Sequence, residues 1–157
     1  MIDTFTEETI RCLQQMATED GAQRWALQLG KTTVADIQAH YAYLDSIGMS
    51  YSGGPVIGLI DWEVSTAGVT GLELSFNASS LLDVVVVKLR DVPYEMVRDA
   101  FKEHEAIIGE DSALPLRSTY RGTGCIVQIE ADTVGESINV TFSSESFREC
   151  KREYKVA

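Results

Sequence analysis

The two histidines are the side chains best suited to proton transfer near neutral pH, because an imidazole titrates there. His40 and His104 are the only histidines, and no H-x-x-x-H or H-E-x-x-H spacing brings a pair of them to one metal. Each falls within a predicted helix. His40 lies off the apolar stripe of its helix and is predicted to face solvent, whereas His104 lies on its stripe, at the core or its boundary. Neither placement predicts catalysis.

Thiols and one lysine motif are the next candidates. Cys12, Cys125 and Cys150 are three in number and lack C-x-x-C spacing, which disfavours both a disulfide framework and a zinc site. Cys125 falls on the inward face of a predicted strand, where a thiol is inert. The run Gly30-Lys31-Thr32 resembles the end of a phosphate-binding loop, but Trp25 occupies the position where that loop needs its first glycine. We expect free thiols without metal, and no nucleotide site.

Carboxylates give the clearest chemical pattern. Asp61 and Glu63 share one face of a predicted strand, and Glu73 lies on the matching face of the next strand. Neighbouring strands lie about 4.8 Å apart, so Glu63 and Glu73 repel each other without forming a pocket of the kind that glycosidase carboxylates need. No D-x-[DN]-x-[DN]-G calcium loop occurs. The pattern predicts an acidic face, either solvated or used by a partner, and no metal or cofactor.

The overall charge has the same sign. There are 24 acidic and 13 basic residues, and the net charge of -11 repels nucleic acid and anionic lipid while attracting cationic proteins. The start of the chain has no apolar segment typical of a secretory signal, and no run approaches the roughly 18 apolar residues of a membrane span. We expect a cytoplasmic protein that binds neither nucleic acid nor membrane. The alternative is that the acidity serves solubility alone.

Helical periodicity predicts the elements that would position these groups. Thr4-x-x-Glu7 is a capping box for a first helix that Gly21 closes. Thr33-x-x-Asp36 caps a second helix of fifteen residues, Thr33 to Ile47. Asp91 and Pro93 predict the start of a third helix that ends at Gly109, and Ser146-x-x-Glu149 predicts a short C-terminal helix.

Strand patterns follow the second and third helices. In the first set Val56, Ile60 and Trp62 alternate inward, and symmetric pairing places Ile60 opposite Phe76 and Trp62 opposite Leu74. The run 81–89 is apolar on both faces and suits a central strand. The second set comprises residues 116–120, 125–131 and 137–142.

These patterns predict one α+β domain over residues 1–157. Two successive helix-plus-three-strand antiparallel units, 33–90 and 94–143, follow an extra N-terminal helix and precede a short C-terminal helix. The predicted core comprises Leu13, Ile37, Tyr41, Leu44, Trp62, Leu74, Phe76, Val86, Phe101, Val127, Ile129 and Val140.

A small acidic α+β chain without a catalytic signature resembles the immunity proteins that bacteria make against polymorphic toxins of the type VI or contact-dependent inhibition systems. The repeated helix-then-strands pattern of residues 33–143 also resembles β-lactamase inhibitory protein, whose tandem repeat presents a concave sheet to an enzyme. The resemblance implies a cognate toxin with a basic surface as the partner and carries over no functional residue.

We therefore expect a non-catalytic acidic binding protein that occludes the active site of a toxin. Aromatic rings would supply buried area at its docking site while carboxylates steer the partner. The predicted docking residues are Asp61, Glu63, Glu73, Asp83, Tyr43 and Tyr51. The alternatives are an acidic secretion chaperone that binds an effector segment and an enzyme of unrecognised chemistry. Both a monomer and a dimer are compatible with the pattern.

Overall fold

In the described part of the chain, the elements with defined bounds in the computed structural model are three α-helices and nine strands. The described residues are 4–42, 44–60, 64, 66, 68–107, 112–113, 116–131, 137–145 and 147–148. The helices are α1 (Thr4–Met16), α2 (Val34–His40) and α3 (Tyr94–Asp99), with a 3-10 turn at Gln23–Trp25. The strands are β1 (Asp45–Met49), β2 (Gly53–Ile60), β3 (Val69–Asn77), β4 (Leu82–Arg90), β5 (Glu105–Ala106), β6 (Ser112–Ala113), β7 (Leu116–Arg121), β8 (Cys125–Ala131) and β9 (Ser137–Ser144).

All the strands belong to one antiparallel sheet, so the prediction of two helix-plus-three-strand units is wrong. The strand order is β1-β2-β3-β4-β9-β8-β7-β5, and β6 also pairs with β7. The β4 strand pairs with β3 on one side and with β9 on the other, from Val84 opposite Ser143 to Arg90 opposite Ser137. Because β4 is apolar on both faces, this central position buries most of it.

The second helix is shorter than the helical spacing predicts. Its capping box is confirmed: the Asp36 N–H donates to Thr33 Oγ1 at 3.1 Å, and the Thr33 N–H donates to Asp36 Oδ2 at 2.9 Å. The helix nevertheless ends at His40, because Tyr41 is extended and its phenol donates to the Trp25 carbonyl at 2.7 Å. The predicted last turn of that helix instead contains the first three residues of β1.

The helices pack against one face of the sheet and form the core with it. Leu13 from α1, Ile37 from α2 and Val97 from α3 are fully buried in the same apolar cluster as Leu74 and Val87. Of the predicted core, the buried members are Leu13, Ile37, Tyr41, Leu74, Phe76, Phe101, Val127, Ile129 and Val140. Leu44 and Val86 are only half-buried, and Trp62 lies outside the described residues.

The inward face of β2 is the reverse of the predicted one. Ile57 and Leu59 are buried, whereas Ile60 is exposed and lies opposite Gly71 rather than Phe76. Residues 55–60 contain apolar side chains on both faces, so alternation alone does not select one. Pairing with β3 selects the inward face, because Ile57 lies opposite the fully buried Leu74.

The second half of the chain keeps its three predicted main strands, which are β7, β8 and β9. The third helix is shorter than predicted: it ends at Asp99, and His104 lies in the following turn, half-buried, with its ring centroid 5.8 Å from that of Phe101. Residues 145, 147 and 148 are helical. The rest of the predicted C-terminal helix, including Cys150, lies outside the described residues.

Candidate functional site

The exposed large apolar side chains are concentrated at one edge of the sheet. Four of the five in the described part of the chain lie on β1, β2 or the turn between them: Ile47, Met49, Tyr51 and Ile60. Met49 is 73% exposed, the highest value in this group, and the fifth member, Leu116, lies on β7. All five residues of β1 are exposed. We call Asp45, Ile47, Met49, Tyr51, Ile60 and Glu73 the β1 edge surface.

A glycine lies at the centre of the outer face of this surface, which is the face of the sheet opposite the helices. Gly58 lies opposite Asp45 on β1 and opposite Glu73 on β3, so the two carboxylate residues occupy one row across three strands. Two methyl carbons of Ile47 lie 3.7 and 3.8 Å from the point where a Cβ of residue 58 would be. The row therefore has an apolar centre, formed by Gly58 and the Ile47 methyl groups, with an acidic residue on each side.

The two carboxylates of this row have different surroundings. Glu73 forms an ion pair with Lys88 at 2.7 Å, and the two side chains are 34% and 45% exposed, respectively. An ion pair of this exposure contributes little to stability, so Glu73 can exchange its cationic partner at small cost. No described cation pairs with Asp45, which is exposed at the edge. The row thus offers negative charge that the fold does not need for its own stability.

The predicted docking residues divide into three groups. Glu73 and Tyr51 lie on the β1 edge surface. Asp83 does not, because it is only 4% exposed and its Oδ1 accepts a hydrogen bond of 3.1 Å from Ser144 Oγ. The others, Asp61, Glu63 and Tyr43, lie outside the described residues.

Sequence reasoning missed Asp45, Ile47, Met49 and Ile60. A signal for three of the exposed side chains was present, since Ile47, Met49 and Tyr51 recur at a spacing of two, the period of a strand. It was overridden by Tyr41, Leu44 and Ile47, which recur at a spacing of three and extend the stripe of the preceding helix. The period-two pattern is short and contains glycine, so it is weak locally.

A concave feature lies between α1 and α3. Its volume is about 860 Å³. Gln14 and Ala100 both line it, and Gln14 Nε2 donates to the Ala100 carbonyl at 3.1 Å. The walls carry ionisable side chains of both signs, including Glu7 and Arg11 from α1 and Asp99 from α3. This mixture gives the groove no preference for ligands of one charge.

None of the described cysteines and histidines belongs to the β1 edge surface. Burial raises the pKa of the Cys12 thiol, and burial together with Glu145 raises the pKa of the Cys125 thiol to about 11. Both cysteines are free and protonated at neutral pH. His40 is exposed, as predicted, and its ring centroid lies 4.7 Å from that of Tyr41 in a T-shaped arrangement. Among the described residues, no cluster of three or more His, Cys, Asp or Glu side chains is arranged to hold a metal.

The chain matches no protein-family model, and searches of the curated proteins and of the solved structures find no significant match. None of the helices in the described ranges has both the length and the apolar character to cross a membrane.

Proposed function

We propose that this chain is a non-catalytic binding protein that docks a cationic protein partner through the β1 edge surface. One observation carries the proposal: four of the five exposed large apolar side chains of the described residues gather along one sheet edge, beside carboxylates, in a chain of net charge -11. Contiguous exposed apolar groups rimmed by polar ones are typical of interaction sites.

Each part of this surface has a physical role in binding. Met49, Tyr51 and Ile60 supply apolar area whose removal from water favours association. Asp45 and Glu73 add local negative charge to the field of the whole molecule, which accelerates the approach of a cationic partner and orients it. The partner is expected to be a protein because the surface is an extended strip and not an enclosed pocket.

The class of partner that we propose is a toxin, which the chain neutralises as its immunity protein by occluding the active site. An acidic surface suits a target whose active-site cleft is cationic, as a cleft that attacks nucleic acid or nucleotides would be. Occlusion needs affinity and shape but no reactive group on the inhibitor. The proposal therefore needs no contribution from Cys12, Cys125, His40 or His104, none of which belongs to the β1 edge surface.

The test starts from capture of the partner. Tagged full-length chain is expressed in its native host, bound proteins are identified by mass spectrometry, and association kinetics with the purified partner are measured at two ionic strengths. We expect a basic partner whose association rate falls steeply with salt. Expression of that partner alone should arrest growth, and co-expression of the chain should restore it.

A matched pair of charge reversals locates the surface. Glu73→Lys should slow association about tenfold at low salt and flatten its salt dependence. The control is Glu130→Lys on β8, because Glu130 is 40% exposed and paired with Arg117 at 2.9 Å, much as Glu73 is 34% exposed and paired with Lys88. Equal effects of the two substitutions would remove the β1 edge surface from the proposal. A captured partner that is not toxic, and that is held unfolded, would replace immunity by the chaperone alternative.

A further inference from the structure

The β1 strand is an open edge of the sheet. It is the first strand in the sheet order and pairs with β2 on one side; on its other side the described residues contain no strand. An open edge presents backbone N–H and C=O groups that another strand can pair with, and natural proteins usually protect such edges with lysine, proline or a covering element. Apart from Asp45 and a bulge between Ser46 and Gly48, the described residues give β1 no such protection.

The alternation of hydrogen-bonded and non-bonded pairs between β1 and β2 determines which way the backbone N–H and C=O of Met49 point. Beyond the Met49–Pro55 pair, Ser50 and Gly54 are joined by a hydrogen bond, which the Ser50 N–H donates to the Gly54 carbonyl at 2.8 Å. Antiparallel pairs alternate between hydrogen-bonded and non-bonded, so the next pair, Met49 opposite Pro55, is non-bonded. Pro55 has no N–H to donate. The N–H and C=O of Met49 therefore point away from β2, toward the open edge.

The side chains along β1 differ on its two faces. Asp45 lies opposite Gly58, on the outer face with Glu73, whereas Met49 lies opposite Pro55, on the face that Ile57 shares. A strand added beside β1 would lie about 4.8 Å from it and about 14 Å from β3. A cation on that strand reaches Asp45 directly, while Glu73 acts only through its field. The complementary strand thus has a cation on one face and an apolar side chain on the other.

We infer that the partner contributes an extended segment that adds to β1 as a further strand, with alternating cationic and apolar side chains. This inference rests on the proposed function and specifies how the same surface binds. Backbone hydrogen bonds to Met49 supply affinity, and the cation opposite Asp45 sets the register. A second copy of this chain is disfavoured as the occupant, because each copy carries a net charge of -11.

The probe is a synthetic heptapeptide that alternates lysine and valine, with capped ends, titrated into the full-length chain. Its binding should slow hydrogen exchange of the Met49 amide and should be lost when glutamate replaces every lysine. Met49→Ala keeps the backbone N–H and should weaken binding only a few fold, whereas Met49→Pro removes the N–H and should weaken binding at least about tenfold more. Leu116→Ala truncates the exposed apolar side chain on β7 and should leave the affinity unchanged.

Several results would overturn strand addition. One is that the heptapeptide does not bind. Another is that Met49→Pro and Met49→Ala bind the heptapeptide with equal affinity. A third is that the bound heptapeptide does not slow hydrogen exchange of the Met49 amide. Circular dichroism checks that Met49→Pro keeps its fold, and the exchange measurement on the unsubstituted chain needs no variant. Self-association that Met49→Pro abolishes would assign the edge to a second copy. If the captured partner still binds with a Glu73-dependent rate in any of these cases, the proposed function stands and only strand addition fails.

Discussion

The indole N–H of Trp25 donates a hydrogen bond of 2.9 Å to the hydroxyl of Thr66, and both residues are buried. Thr66 follows the second strand and Trp25 precedes α2, so the bond ties two distant parts of the chain together. The Trp25 carbonyl in turn accepts from the Tyr41 phenol at 2.7 Å. Trp25 and Tyr41 both belong to the buried apolar cluster, so this polar network includes residues of the core.

Removal of the Thr66 hydroxyl should destabilise the fold. Thr66→Val keeps the volume but leaves the buried indole N–H unpaired, which we expect to lower the free energy of unfolding by about 1–3 kcal/mol. Thr66→Ser is the matched control because it keeps the acceptor. Urea denaturation followed by tryptophan fluorescence measures both. A Thr66→Ser variant as unstable as Thr66→Val would show that the methyl group matters and the hydrogen bond does not.

Two hydrophobic residues on neighbouring strands should respond differently to truncation. Leu74 is fully buried and faces the helices, so Leu74→Ala should cost about 2–5 kcal/mol of unfolding free energy. Ile60 is exposed on the outer face, and Ile60→Ala should change stability by no more than about 0.5 kcal/mol. Chemical denaturation of both variants checks the assignment. The reverse order of costs would mean that the faces of the sheet are inverted.

The two glycines of β2 that flank its apolar centre should not be equivalent. A Cβ at Gly54 would overlap the carbonyl oxygens of Phe76 and Asn77, so Gly54→Ala should destabilise by about 1–3 kcal/mol. A Cβ at Gly58 would meet two Ile47 methyl carbons at 3.7 and 3.8 Å and the Asp45 carbonyl oxygen at 3.9 Å, all ordinary contact distances. Gly58→Ala should therefore stabilise by about 0.4–1 kcal/mol. Melting temperatures in opposite directions are the expected result, and a stable Gly54→Ala variant would contradict it.

The Cys125 thiol should make stability depend on alkaline pH. Its pKa of about 11 in the folded chain, raised by burial and by Glu145, exceeds the value of about 8.5 for an exposed thiol. Above about pH 8.5 the unfolded chain releases this proton while the folded chain retains it, so the stability is full below that pH and falls as the pH rises toward 11. Denaturation curves of the unsubstituted chain and of Cys125→Ala should diverge over this window. Parallel pH profiles would show that the thiol titrates equally in both states.

Sequence patterns predicted the elements whose burial repeats over several residues. Leu72, Leu74 and Phe76 alternate with polar residues, and all three are buried on the predicted face. The Thr33 capping box is equally local, because both of its hydrogen bonds join residues three apart. In such segments the local pattern and the tertiary packing favour the same structure.

Predictions failed where distant contacts decide between two local patterns. The spacing of Tyr41 and Leu44 predicts a helix, but the helix does not continue through them, because the Tyr41 phenol donates to the Trp25 carbonyl. The residues after Leu44 pair with β2 instead. The face of β2 depends on β3, since Gly58 and the apolar residues around it suit either face. Most of the candidate site depends on these two choices, so of its members only Glu73 and Tyr51 were predicted.

The junction between β4 and β9 also has a consequence during synthesis. The apolar β4 emerges from the ribosome long before β9, which is the last strand in the described part of the chain. Until β9 arrives, Val84 and its neighbours form an unpaired, hydrophobic strand edge, which is a hazard for aggregation. A chain truncated after residue 131 should therefore bind trigger-factor-type chaperones or precipitate, whereas the full chain should not. A truncated chain that stays monomeric would show that the first four strands protect themselves.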